Sequence, residues 1–134
     1  GGTLGKRLYL TIGDVLAKDS LARVDLDATI NEVIIEISQK RLGATAVLKQ
    51  DKLQGVITDG DLRRMLEKKT SYSCLRAKDI MSVNPIKVDT TILAYDALRI
   101  MEKNSISQII VLDNTKYRGI VHIHEILKEG IHNE

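Results

Sequence analysis

The sequence predicts an α/β (α+β) protein made of two β-α-β-β-α units packed about a pseudo-two-fold axis. Three observations carry this expectation. Twice along the chain, apolar residues at helical spacing give way to short β-branched runs and then return to helical spacing. The second passage repeats the first: Val24-Asp25 returns as Val88-Asp89, a shift of 64 positions that also carries Val47-Leu48 onto Val111-Leu112 and Gly55 onto Gly119. The 134 residues hold two units of about 60 residues each, and a unit that small buries too little surface to stand alone, so the halves must share a core.

The elements follow in order. Residues 1–10 open with two glycines and no initiator Met and read as a linker remnant; residues 11–70 form the first repeat and 75–134 the second. Thr11-Ile12-Gly13-Asp14 is a capping pattern for a short helical turn ending near Leu16, and Arg23-Val24 is a brief strand after the loop at Asp19-Ser20. Thr29-x-x-Glu32 is a capping box, and Ile30, Val33, Ile34 and Ile37 form one apolar stripe of a helix that reaches Arg41 and is stopped by Gly43. Two strands, Thr45 to Leu48 and Leu53 to Thr58, flank the polar turn Lys49-Gln50-Asp51-Lys52. A helix runs from Asp59 to Lys68, and Lys69 to Ser73 is a polar connector. In the second copy, Asn84 and Pro85 turn into the first strand, and the helix stripe becomes Ala94, Ala97, Leu98 and Met101.

Composition limits the function classes. Twenty basic and eighteen acidic residues are interspersed, with no basic stripe interleaved with aromatics, so nucleic acid is not an expected partner. No apolar run has membrane-spanning length, and the expectation is a soluble cytoplasmic chain. Cys74, the single cysteine, forms no internal disulfide and lacks metal-ligand spacing, as befits a linker residue in a reducing compartment.

The chemistry concentrates where the β-run of Gly55-Val56-Ile57 ends and a helix begins at Asp59. A helix start presents unpartnered N–H groups and the positive end of the helix dipole, which suits a phosphate, and Asp61 is placed to accept hydrogen bonds from ribose hydroxyls. Thr58-x-x-Asp61 is equally a capping box that needs no ligand. In the second copy these two positions are His122 and Glu125.

These residues carry a resemblance. The tandem units and the Gly-apolar-apolar-Thr-x-x-Asp junction from Gly55 to Asp61 resemble a pair of cystathionine β-synthase-type (CBS) domains, modules that bind nucleotides and regulate an attached domain. More narrowly, Thr58 to Arg64, Lys40-Arg41-Leu42-Gly43, His122-Ile123-His124-Glu125 and the opening Gly1 to Leu8 are similar to the C-terminal half of bacterial D-arabinose-5-phosphate isomerases. The resemblance implies a parent that interconverts ribulose 5-phosphate and arabinose 5-phosphate, in the pathway to the lipopolysaccharide sugar Kdo, through a sugar-isomerase (SIS) domain absent from this sequence. It implies a sensor role for the CBS pair, with CMP-Kdo or another nucleotide as regulatory ligand and no required cofactor. It also implies a homodimer of CBS pairs in a tetrameric parent. In the general CBS pattern, ribose sits on the Asp61 position and phosphate near Thr58; His122 and Glu125 depart from that pattern in the second copy.

The remaining candidates each carry two readings. Asp59 stands at the same junction. Ala44, Thr45 and Ala46 either hold a base edge with their backbone groups or form a plain ladder strand. Arg63 and Arg64 either grip a phosphate or carboxylate through paired hydrogen bonds or are solvated helix charges. His122 and His124 either face an anionic ligand or are satisfied imidazoles at a strand end. As a metal pair they lack a third ligand at suitable spacing, with His132 placed in the tail. No nucleophile with a positioned base is legible, so no catalytic residue is assigned. Three function classes follow: a regulatory nucleotide-sensing pair, a structural module that dimerises its parent with empty clefts, and a metal-responsive switch.

Overall fold

The computed structural model describes residues 8–68 and 71–131. Of the linker expected at residues 1–10, residues 1–7 lie outside these described residues, as do residues 69–70 of the connector expected at 69–73, and His132. The first half contains α1 (Ile12–Val15), β1 (Arg23–Asp25), α2 (Ile30–Lys40), β2 (Ala44–Lys49), β3 (Lys52–Thr58) and α3 (Asp59–Lys68). The second contains α4 (Ala77–Ile80), β4 (Ser82–Val83), β5 (Lys87–Asp89), α5 (Ala94–Lys103), β6 (Gln108–Asp113), β7 (Lys116–His122) and α6 (Ile123–Lys128).

Each half builds the same sheet. β1 lies parallel to β2, which pairs antiparallel with β3; β5, β6 and β7 repeat that order, and β4 adds an edge to the first sheet. The register also repeats. Val47 faces Gly55 and Val111 faces Gly119, each followed by a bulge at the next residue. The predicted stripes point inward: Ile30, Val33 and Ile37 on α2 and Ala94, Ala97, Leu98 and Met101 on α5 are buried, while Ile34, at the edge of the α2 stripe, is half-buried. Thr29 and Glu32 close the expected box, with the Thr29 hydroxyl accepting from the Glu32 amide at 3.1 Å. The stop differs from expectation. Arg41, at φ 58, takes the left-handed cap of α2, and Gly43, at φ 75, follows two residues later to turn the chain into β2.

The halves are joined by a reciprocal exchange. The turn α1 opens the first repeat in sequence but docks on the second: the Ile12 amide donates to Ile92 O at 2.8 Å and that of Gly13 to Thr90 O at 3.0 Å. Its counterpart α4 docks on the first, with Ala77 donating to Ala28 O at 2.9 Å and Lys78 to Leu26 O at 3.0 Å. Accordingly Ile12 is buried in the core of Ala97, Leu98 and Val121, while Ala77 is buried in that of Val33, Ile37 and Ile57. A third core draws on both halves, with Ala22, Ala44 and Ala46 against Ile110, Tyr117 and Ile120. The equivalence of the two sets of hydrogen bonds is the pseudo-two-fold relation expected from the repeat.

Two glycines mark where the incoming segment of one half crosses the sheet of the other. A Cβ on Gly119, at φ 148, would lie 2.5 Å from Ser20 Oγ, and the Ile120 amide donates to Ser20 O at 3.0 Å. A Cβ on Gly55 would lie 2.6 Å from Ser82 O. No helix among the described residues is long and apolar enough to cross a membrane.

Candidate functional site

At the first junction β3 ends on Thr58 and α3 starts at Asp59 with no intervening loop. The box closes in both directions. The Thr58 amide donates to Asp61 Oδ2 at 2.9 Å, and the Asp61 amide donates to Thr58 Oγ1 at 3.2 Å. The other carboxylate oxygen, Oδ1, accepts from Arg64 Nη2 at 2.5 Å and from Ser82 Oγ at 3.4 Å. Asp61 is therefore a buried charge with a full complement of donors: its side chain is 8% exposed, whereas that of Arg64 is 63% exposed. The amide of Asp59 donates to Gly43 O at 3.0 Å. Two of the amides that the sequence offers to a phosphate, those of Asp59 and Asp61, are thus held by the protein itself.

The junction opens onto a cleft of about 690 Å³ between the two halves. Thr58, Asp59, Asp61, Arg63 and Arg64 form one wall, and Ser107 and Gln108 of the second half form the other. Asn84 and Pro85 close one side, and Val56, Ile110 and Ile120 contribute apolar surface. This arrangement offers two guanidinium groups to an anion, a carboxylate to hydroxyls and an apolar surface to a flat ring.

The other sequence candidates fall elsewhere. Ala44, Thr45 and Ala46 are buried in β2, between β1 and β3, and do not line the cleft. The Ala46 amide donates to Ala22 O, and the Thr45 hydroxyl bonds Ala46 O at 3.1 Å. The plain ladder reading of these residues matches this placement. The strand that faces the junction belongs to the other half, where Gln108 stands at the repeat position of Ala44. Gln108, Ser107 and Ser82 were not legible as site residues from local pattern; the 64-residue shift, applied across the halves, is the signal that points to Gln108.

His122 and His124 lie at the second junction and do not line this cleft. His122 caps α6: its Nδ1 accepts from the His124 amide at 3.1 Å, and its own amide donates to Glu125 Oε1 at 2.9 Å. The rings are 4.5 Å apart. Burial, reinforced by the neighbouring His124, pushes the His122 pKa down against the opposing pull of Glu125. Among the described residues no group of three or more His, Cys, Asp or Glu side chains gathers as a metal site.

Two duplicated α/β units closing on an interfacial cleft define a paired-repeat module. The chain belongs to the CBS domain family, whose model matches residues 12–68 and 77–132. It is 35% identical over 133 residues to arabinose 5-phosphate isomerase KdsD of Salmonella typhi, a match covering 98% of this chain and 40% of that protein. The chain thus spans well under half the length of that relative. The crystal structure of the CBS domain NE2398 has a TM-score of 0.81 at 22% identity, covering 91% of this chain and 98% of that one. CBS domain protein PAE2072 from Pyrobaculum aerophilum, complexed with AMP, has a TM-score of 0.78 at 22% identity, covering 89% and 96%.

Proposed function

We propose that this chain is the regulatory CBS pair of an arabinose-5-phosphate isomerase and that it binds a nucleotide or nucleotide-sugar in the cleft at Thr58. The observation that carries the reading is the convergence of Asp61, Arg63 and Arg64 with Ser107 and Gln108 on one cleft of about 690 Å³, a volume suited to a nucleotide. The identity to KdsD proteins supports the isomerase parent, and the AMP bound by PAE2072 supports the nucleotide class. In this reading the ribose hydroxyls replace Arg64 on Asp61 Oδ1, and the released guanidinium turns to the phosphate or, in CMP-Kdo, to the sugar carboxylate. Occupancy then passes to a SIS isomerase domain of the parent, a cytoplasmic enzyme of the Kdo pathway. The CBS pairs associate as homodimers within a tetramer.

A second reading, an assembly module whose clefts stay empty, is favoured by one observation: every Asp61 oxygen already has a protein donor. Calorimetric titration with AMP, CMP and CMP-Kdo separates the two. Saturable heat that is lost in Asp61→Ala supports the sensor; no saturable heat with any of the three overturns it. Unchanged affinity in Asp61→Ala moves the site away from this junction.

A further inference from the structure

A larger cavity, of about 1100 Å³, lies at the hairpin end of the molecule, lined by both β-hairpin turns. Its cations come in repeat-related pairs. Arg23 and Lys87 are the first residues of β1 and β5, and Lys52 and Lys116 are the first residues of β3 and β7. All four are exposed, and among the described residues none makes an ion pair. A single carboxylate, that of Asp51, shares the lining, while Leu48, Leu53, Leu112 and Tyr117 provide an apolar floor. Residues contributed in equivalent pairs straddle the pseudo-two-fold axis, so the cavity presents the same cationic face to each end of a bound molecule.

The rest of the chain does not share this imbalance: twenty basic residues stand against eighteen acidic ones overall, yet four cations meet one acid here. The cavity is on the order of 10 Å across by its volume, beyond the screening length of about 8 Å at physiological ionic strength, so the exposed cations repel one another only weakly across it and can share one lining. A compact anion with charge at both ends, seated among them, lies within reach of both pairs at once, which separate counterions satisfy less well. The turns that carry Lys52 and Lys116 are closed hairpins, with Lys49 paired to Lys52 and Asp113 to Lys116, so the two lysines are anchored on ordered backbone. We propose that this hairpin-end cavity is a second binding site, distinct from the cleft at Thr58, for a small multiply charged anion of the diphosphate or bisphosphate class.

The test is calorimetric titration with inorganic pyrophosphate at ionic strength held constant with sodium chloride. Wild type is expected to bind one pyrophosphate saturably, and Lys52→Gln/Lys116→Gln to weaken that affinity at least tenfold. Arg63→Gln/Arg64→Gln, at the other cleft, is expected to leave it within about twofold. Circular dichroism checks that each variant is folded; should the double variant fail to fold, the single substitutions Lys52→Gln and Lys116→Gln are each expected to weaken binding at least threefold. Absence of saturable heat overturns the proposal. So does loss of binding in the Arg63→Gln/Arg64→Gln variant alone, which would assign the anion to the Thr58 cleft. An equal loss in a Lys68→Gln/Lys128→Gln control also overturns it, as general charge, and binding of polyglutamate without pyrophosphate would replace the small anion by an acidic chain.

Discussion

Arg64 decides what the cleft at Thr58 can select. It sits one turn beyond Asp61 and neutralises a carboxylate that is otherwise buried, so in the empty cleft it stabilises the junction rather than waiting for ligand. In the proposed binding mode a nucleoside displaces it and offers it no new partner, whereas a nucleotide displaces it and supplies a phosphate. Arg64→Ala is therefore expected to weaken nucleotide binding by about tenfold, roughly 1.4 kcal/mol, while nucleoside binding stays level or improves, both read by calorimetry. Equal losses for both ligands would show that Arg64 acts on the pocket and not on the phosphate. At the second junction the histidine makes its own forecast. His122 Nδ1 accepts the His124 amide, which requires the neutral ring, and both burial and His124 lower its pKa from the ordinary 6.5, Glu125 opposing. A group whose folded pKa is depressed binds more protons when unfolded. Stability is therefore fully present above pH 6.5 and falls as the pH drops from there through the folded value. Urea titrations between pH 7.5 and 5.5 are expected to show that decline in wild type and a flatter profile in His122→Asn, which keeps a cap but cannot be protonated. The depressed carboxylates of Asp14, Asp27 and Asp89 do not compete in this window, since their contribution is lost only below the ordinary 3.8.

Among the elements, most were legible by period, by a cap such as Thr11-x-x-Asp14 for α1, or by the repeat that relates β1 to β5, and those with none of these signals were not. α2 and α5 announced themselves by stripes, β2 and β3 by β-branched runs around a polar turn, and Thr58-x-x-Asp61 fixed the start of α3. A four-residue helix and a two-residue strand carry no period, so α4 and β4 escaped, and Arg76 opens α4 without a side-chain cap bond to signal it. The site divides along the same line. Thr58, Asp61, Arg63 and Arg64 follow one another along the chain and could be read together, whereas Ser82, Asn84, Ser107 and Gln108 reach the cleft only through the packing of one half on the other. The incoming segments impose a sharp steric requirement. At Gly119 a side chain meets both Ser20 Oγ and Ser20 O, on backbone at φ 148. Gly119→Ala is expected to destabilise by about 2–4 kcal/mol, combining overpacking with backbone strain. Chemical denaturation measures it, and a change below half a kcal/mol would mean that the Ser20 segment is free to withdraw.

For the molecule as a whole, the question is whether the repeats are two folding units or one. Tyr117 ties them: its hydroxyl, buried in the shared core, donates to Ala22 O at 2.6 Å, and burial raises its pKa well above the ordinary phenol value. Tyr117→Phe removes one of the two donors on that carbonyl, leaving the Ala46 amide, and is expected to cost about 1 kcal/mol, lowering a single melting transition by roughly 4 °C. The exchange of α1 and α4 goes further, because each half keeps its core closed only with a turn lent by the other. A chain of residues 75–134 retains α5, β6, β7 and α6 but loses Ile12 from the centre of their core and bares Ile110 and Ile120, which in the whole protein pack on Ala44 and Ala46. Its own α4 cannot substitute, since it lies where the first half would be, and Ala77 is smaller than the Ile12 it would replace. The isolated second half is therefore expected to show no cooperative urea transition and little amide dispersion as a monomer. Adding residues 1–74 in trans is expected to restore both, since that piece brings back α1 and the other side of the shared core. A monomeric half with a sharp transition of its own would mean that the exchanged turns decorate two finished domains, and a cleft between domains that fold separately would have to be held open by something other than the shared core.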